Sequence, residues 1–567
     1  MQPYTKVKDF TVRGKSVRTL YKTDIASCAA TCSKDGCDLF VHDRLKTNRF
    51  FAFAQCTFFK RSSGADWMWA ASKGKDAYST GAVPPNLTAI ALETRITARA
   101  GAVRKQRWSI WRGRHGDATM TLLLQILGSR STLQQYDIKQ HTAWEFDPNN
   151  RYTGVNCEVV CPDSTLRPRF TTTGLVAAAA HQLVNPCPAT RNLACKRLAC
   201  KLLGGQSWAA KCLEWPAQAN TLTQMAEADD GGGVWFVKRQ THGRGFADAR
   251  TLKALLPRLP ALATTIDAKG EEQVNPLILS RRVEPPLLLR GRKALGRYYV
   301  LVTSYRPLRA FTLPIYRVNI AAAAYSDNAN TSSWGCMHDP QRHMKPECEE
   351  LLKAENMSSR GLSWTGDIFE RELTKQLINS GEAPSRAEES VRSLVKATKN
   401  AIVQTLVTTA GLVASEGLRC KTQRACFGLW GFDLIWDDAL RPFFIEANET
   451  PLLIPGMLSK DDPNAEGLLV NGLNDSLAIL GAEPLPRERY LEAFKARLRR
   501  RCDFGTKCDY TTIDALLALE DEVRHKRSLE VLYPTAERVR EFGARLKGEP
   551  PVDDYAMWVE ELLAESG

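Results

Sequence analysis

Apolar positions along the chain follow two periods. Leu277 to Val283 (LILSRRV) is a short apolar run broken by Pro285 and Pro286, and Leu287 to Ser304 alternates on either side of Arg290-Gly291, the pattern of an antiparallel hairpin. Gly233 to Gln240 (GVWFVKRQ) predicts a strand ending near Lys238, followed by a glycine-containing loop and a helical pattern from Ala247 to Leu259. Leu429 to Trp436 (LWGFDLIW) and Arg441 to Pro451 (RPFFIEANETP) predict two strands about the turn Asp437-Asp438-Ala439-Leu440. In that hairpin, positions summing to 879 oppose one another, so Asp433 faces Glu446 and Asn448 shares the face of Glu446. The apolar run Ala401 to Ser415 is interrupted by Gln404, Thr405, Thr408 and Thr409, which predicts a buried helix and no membrane span. Strand-like and helical segments thus mix along the chain, an α+β pattern.

The chain has 567 residues, too many for one core, and is expected to divide into several folding units. Its 77 Lys and Arg against 63 Asp and Glu give a net charge of +14, which favours an acidic partner. No RNA-binding motif with interleaved aromatics accompanies that charge, so nucleic acid is not the expected partner. Lys6, Lys8 and Asp9 stand where a secretory leader would be apolar. Sixteen cysteines include the close pairs Cys157 and Cys161, Cys195 and Cys200, Cys420 and Cys426, and Cys502 and Cys508. They lack zinc-site spacing; cystines are the favoured reading, with buried thiols the alternative.

Candidate chemistry concentrates in three segments. A strand delivering Lys238, then a loop with Gly243 and Gly245, is an arrangement that can cradle phosphates with its backbone N–H groups, or simply a turn. Between Arg281 and Arg309 there are eight basic residues and one acidic residue. Lys293 and Arg297, four apart on one strand, share a face opposite to Tyr298, Val300 and Val302, as an anion site or a solvated edge would require. Asp433, Glu446 and Asn448 converge as hard oxygen ligands suited to Mg2+, whereas an exposed polar edge would leave the upstream lysine strand unexplained.

In order and spacing these segments resemble ATP-grasp ligases of the tubulin-tyrosine ligase-like family. The resemblance is carried by VNPCPATRNLACKRLACKLL from Val184, WFVKRQTHGRGF from Trp235, PLLLRGRKALGRYYVLVTSYRPLRAF from Pro286, GFDLIWDDALRPFFIEANETPLL from Gly431 and YPTAERVREF from Tyr533. It implies two α+β lobes around a nucleotide cleft, with ATP and Mg2+ as cofactors. Lys238, Gly243, Gly245 and Lys293 would hold ATP phosphates, Arg281, Arg282 and Val283 would pass the adenine, and Arg297 and Arg317 would face the reacting acyl phosphate. Asp433, Glu446 and Asn448 would hold the metal. The expected organisation is an N-terminal module (1–80), a linker (81–100), an N-terminal ligase subdomain (101–205), a central lobe (206–285), a C-terminal lobe (286–473) and C-terminal helices (474–567).

The N-terminal spacing of Cys28, Cys32, Cys37 and Cys56 resembles PAN/apple modules, which implies cystines within it and a protein or carbohydrate ligand. The ligase resemblance implies ATP-dependent amide-bond formation between a free amino acid and an acidic protein acceptor such as a tubulin tail. Three positions depart from the family pattern: Leu295 replaces an aspartate, Ser280 a glutamine, and the stretch from Trp334 (WGCMHDP) a His-Leu-Thr-Asn. A ligase fold retained for binding or adhesion is the alternative function. Cysteines and the apple-like module point to an oxidising compartment, the ligase family to the cytoplasm.

Overall fold

The computed structural model describes residues 193–239, 246–266, 272–326, 334–340, 346–415, 427–453, 462–482, 490–501, 510–545 and 552–566, with breaks at 194, 229–232, 339, 449–450 and 452, and the backbone of strands before residue 142. The chain forms two compact units, one of residues 1–104 with 486–513, the other of residues 105–485 with 514–567. In the first unit β1 (Thr5–Arg13), β2 (Ser16–Tyr21), β3 (Leu39–Asp43), β4 (Gln55–Phe59) and β5 (Met68–Ser79) form an antiparallel sheet in the order β1-β5-β3-β4-β2. Cys28, Cys32 and Cys37, part of the spacing that resembles an apple module, lie outside the described residues.

The second unit contains two larger sheets. Its first described helix, α1 (Lys196–Leu203), leads to β6 (Cys212–Trp215), which joins β7 (Trp235–Arg239), β8 (Phe246–Arg250) and β9 (Leu277–Arg281) in the order β6-β9-β7-β8. Alternation divides this sheet: Trp235, Val237, Leu277 and Leu279 pack with Leu252, Leu255 and Leu259 into one core, leaving Phe236, Lys238, Ile278 and Ser280 on the opposite face. The helical pattern expected from Ala247 is corrected at its start. Ala249 and Arg250 instead pair with Phe236 and Trp235, and helix begins only at Leu252, because strand pairing beside the β7 edge overrides local propensity.

Residues 282–287 run from β9 to the larger sheet. There β10 (Leu288–Leu289) turns through Arg290 and Gly291, both at positive φ, into β11 (Arg292–Tyr305), as the Arg290-Gly291 pattern predicts. With β12 (Leu308–Ile320), β13 (Ser363–Thr365), β14 (Gly428–Trp436) and β15 (Pro442–Asn448) it forms the order β13-β12-β11-β14-β15. The C-terminal stretch, expected as helices alone, also supplies β16 (Glu530–Tyr533), which pairs with β12. Tyr298, Val300, Val302, Trp430, Phe432, Leu434 and Trp436 bury one face against the helices Gly366–Asn379 and Pro384–Ser415. The second helix contains the run predicted to be buried. Among the described residues no helix is long and apolar enough to cross a membrane.

A short segment ties the two sheets together. Phe444 of β15 donates its backbone N–H to Trp208 O at 2.8 Å and accepts from Ala210 N at 3.0 Å, and two residues later the same chain enters β6 of the other sheet.

Candidate active site

The face of the larger sheet opposite Tyr298 and Phe432 carries a row of polar residues in register. Thr365 stands opposite Arg317, Arg317 opposite Arg297, Arg297 opposite Asp433, and Asp433 opposite Glu446, so one cross-strand line runs over five strands. Two arginines directly opposed would repel. The carboxylates beyond them offset this: Arg297 grips Asp433 with Nε–Oδ1 at 2.7 Å and Nη2–Oδ2 at 2.6 Å, both side chains buried. Fork geometry of this kind fixes position as well as charge. Gly431 leaves room for it, since a Cβ there would stand 2.9 Å from Pro451 Cβ and 3.6 Å from Arg297 Cδ.

The expected hairpin register holds at the site: Gly431 faces Asn448, Phe432 faces Ala447 and Asp433 faces Glu446. It fails one step further on. A bulge sets Leu434 opposite Phe444, so the 879 relation ends at Asp433. Asn448 Nδ2 donates to Asp433 Oδ2 at 3.1 Å, which brings the three expected metal residues together. Among the described residues no three His, Cys, Asp or Glu side chains cluster as a metal site. The set here is two carboxylates and one amide.

Lys238 and Glu446, from different sheets, line one cavity together with Lys196, Cys200, Cys212 and Ser280. Lys196 was not singled out by sequence; it sits on α1 with Nζ 3.3 Å from Glu446 Oε2. The only signal for it was the basic, cysteine-bearing stretch from Val184. Burial works to raise the Glu446 carboxyl, yet Lys196, Lys238 and Arg297 outweigh it and hold the group down at about 2. Glu446 is therefore an anion at neutral pH.

A second group of cations borders Phe236, which shares with Lys238 the face of β7 opposite its core. Lys293 Nζ lies 5.9 Å from the Phe236 ring and 5.8 Å from that of Tyr325, and the Arg282 guanidinium lies 5.7 Å from Tyr325. Arg282 also pairs with Glu284. Burial, then the neighbouring Arg282, pulls the Lys293 ammonium down to about 7. His338, within the stretch that departs from the family pattern, packs its ring against Phe236 and Tyr325 at 6.0 and 5.8 Å. Burial, followed by the charges of Lys293 and Arg282, holds its imidazole down at about 3 and so neutral.

Arg281 closes β9, and Arg282 and Val283 follow it on the link between the sheets. Leu295 shares the face of Lys293 and Arg297, so the missing aspartate falls on the site itself. Gly243 and Gly245 lie outside the described residues. Cystines do form: Cys200 with Cys212, and Cys336 with Cys348. Cys200 thus bonds across to β6, not to its near neighbour Cys195, which precedes the helix by one residue and is itself in another cystine.

A profile of the tubulin-tyrosine ligase family matches residues 188–475, half of the chain. Human tubulin monoglutamylase TTLL4 is 26% identical over 216 residues, covering 36% of this chain and 17% of that protein. The probable tubulin polyglutamylase ttll-9 of Caenorhabditis elegans is 27% identical over 213 residues, 38% of this chain and 45% of that one. Mouse tubulin monoglycylase TTLL3 is 24% identical over 257 residues, 43% and 24% respectively. The chain therefore spans less than half the length of these relatives. With a profile match that takes in Lys196, Lys238, Lys293, Arg297, Arg317, Asp433, Glu446 and Asn448, the chain belongs to the tubulin-tyrosine ligase family.

Proposed function

We propose that the chain is an ATP-dependent ligase that joins an amino acid to a protein carboxylate through an acyl phosphate. The observation that carries this reading is the in-register row Arg317, Arg297, Asp433 and Glu446, with Lys196 and Lys238 in the adjoining cavity. Such a reaction needs no side-chain nucleophile. It needs the nucleotide and carboxylate held together and the charge on the transferred phosphoryl group neutralised. Lys196, Lys238 and Lys293 would hold phosphates, while Arg297 and Arg317 would face the acyl phosphate. Arg281, Arg282 and Val283, on the link between the sheets, would pass the adenine, and Gly243 and Gly245 would cover the phosphates.

The donor chemistry of Asp433, Glu446 and Asn448 fits Mg2+, a hard cation that takes one or two carboxylates and completes its shell with water and phosphate. Asn448 uses its amide nitrogen on Asp433, which leaves the amide oxygen for a cation. When bound, the ion supplies charge neutralisation at the phosphates.

The relatives' names suggest glutamate or glycine as the amino acid and tubulin as the acceptor. The net charge of +14 suits an acidic tail. An apple-like N-terminal module would add a protein or carbohydrate contact. The second reading, a ligase fold kept for binding, draws on Leu295 and on the altered 334–338 segment. Calorimetric titration with ATP, with and without Mg2+, tests the site: Mg2+-dependent binding supports the nucleotide cleft, and its absence rejects it.

A further inference from the structure

Lys196 reaches the cavity from a helix too short to hold itself. α1 has eight residues and its N-cap, Cys195, makes no side-chain capping bond; isolated helices under about 12 residues are marginal in water. Sulfur supplies what the helix lacks. Cys195 is in a cystine, and Cys200, one turn beyond Lys196, is bonded to Cys212 at the start of β6. Lys196 therefore lies between two bonded cysteines, and the second bond staples its helix to the sheet that carries Lys238. Cys200 and Cys212 line the same cavity as Lys196 and Glu446. Packing around the bond is tight: a Cβ on Gly204 would stand 2.8 Å from Cys212 Sγ and 2.6 Å from the carbonyl oxygens of Cys200 and Cys212.

Resting on the nucleotide site proposed above, we propose that the Cys200–Cys212 cystine is a positioning element for Lys196, so that the cleft holds ATP phosphates at full strength only when oxidised. Reduction by a dithiol breaks the S–S bond. The two sulfurs gain two electrons and two protons as thiols, and the dithiol becomes a disulfide. α1 then keeps the Cys195 cystine and the packing of Ala199 and Leu203 but loses its staple to β6, and the Lys196 ammonium loses its fixed place beside Glu446. The cystine acts through Lys196 and makes no contribution of its own to the phosphates.

The test is the Mg·ATP affinity of the full chain, measured by calorimetry for the parent, Lys196→Ala, Cys200→Ser with Cys212→Ser, and all three changes together. Removing one fixed charged donor predicts about tenfold weaker binding for each of the first two variants. The combination is expected to be no weaker than Lys196→Ala alone, a non-additivity that a merely structural bond would not produce. The proposal is overturned if the double serine variant binds as the parent does, or if the combined loss is the product of the separate losses. Should the double serine variant not fold, reduction by a dithiol decides in its place; binding that weakens in the parent but not in Lys196→Ala supports the proposal, and parental binding after reduction overturns it. A parent chain that binds no Mg·ATP defeats the nucleotide reading itself, whereas a binding parent with an unaffected double variant defeats this inference alone.

Discussion

Arg297 holds Asp433 across neighbouring strands by two contacts of 2.7 and 2.6 Å, and Asp433 in turn faces Glu446 on the next strand. The pair does two things at once. It neutralises a buried arginine, and it fixes the orientation of a carboxylate that stands opposite Glu446. Removing one partner of a buried pair leaves the other charge uncompensated, which costs about 3–5 kcal/mol. Asp433→Asn is therefore expected to lower unfolding free energy by an amount of that order and to abolish Mg·ATP binding, as read by urea unfolding and calorimetry.

Glu446→Gln should separate those two effects. Its carboxylate meets Lys196, a partly exposed contact that Gln can replace in shape, so the fold should persist while nucleotide binding is lost. The acid limb of stability gives a further check. Because the folded group titrates near 2, below the ordinary value of 4.5, its contribution is present above about pH 4.5 and is lost as pH falls toward 2. Urea midpoints measured from pH 6 to 2 should fall less steeply for Glu446→Gln than for the parent.

Lys293 predicts a proton linkage. Below about pH 7 its ammonium is charged; above that pH it is largely neutral until phosphate draws a proton onto it. Mg·ATP binding at pH 8 should therefore take up a proton, measured by calorimetry in buffers of different ionisation enthalpy. Lys293→Met should remove that uptake and weaken binding most at low pH.

The hairpin at the site was legible because alternation and one turn set its register, and Asp433, Glu446 and Asn448 met as the spacing required. The register broke one residue later, at a bulge that no periodicity marks. Lys196 was hidden for a different reason. It comes from a helix some 250 residues earlier in the chain, and its approach to Glu446 depends on a cystine to β6 that spacing alone does not pair. Ala247 to Arg250 read as helix because its residues are good helix formers, and only the free edge of β7 made it a strand.

Cystines at Cys200–Cys212 and Cys336–Cys348 bear on compartment. We propose that the chain matures in an oxidising compartment, where such bonds persist. Thiol counting on unreduced, denatured protein should then find fewer than sixteen free thiols, with peptide mapping recovering both pairs. All sixteen free would reject this.

Asn448 heads the sequon Asn448-Glu449-Thr450, but its amide nitrogen is engaged by Asp433 beside the cavity. Peptide mapping of natively expressed protein should find it unmodified; a glycan there would fill the site.

The most direct measurement is mass spectrometry of tubulin after incubation with the chain, ATP, Mg2+ and isotopically labelled glutamate or glycine. The account predicts acceptor masses raised by whole amino-acid residues, with ADP and phosphate released and no product from Glu446→Gln. Unmodified tubulin with either amino acid, from a chain that binds Mg·ATP, would contradict ligation to tubulin and leave the fold a binding module.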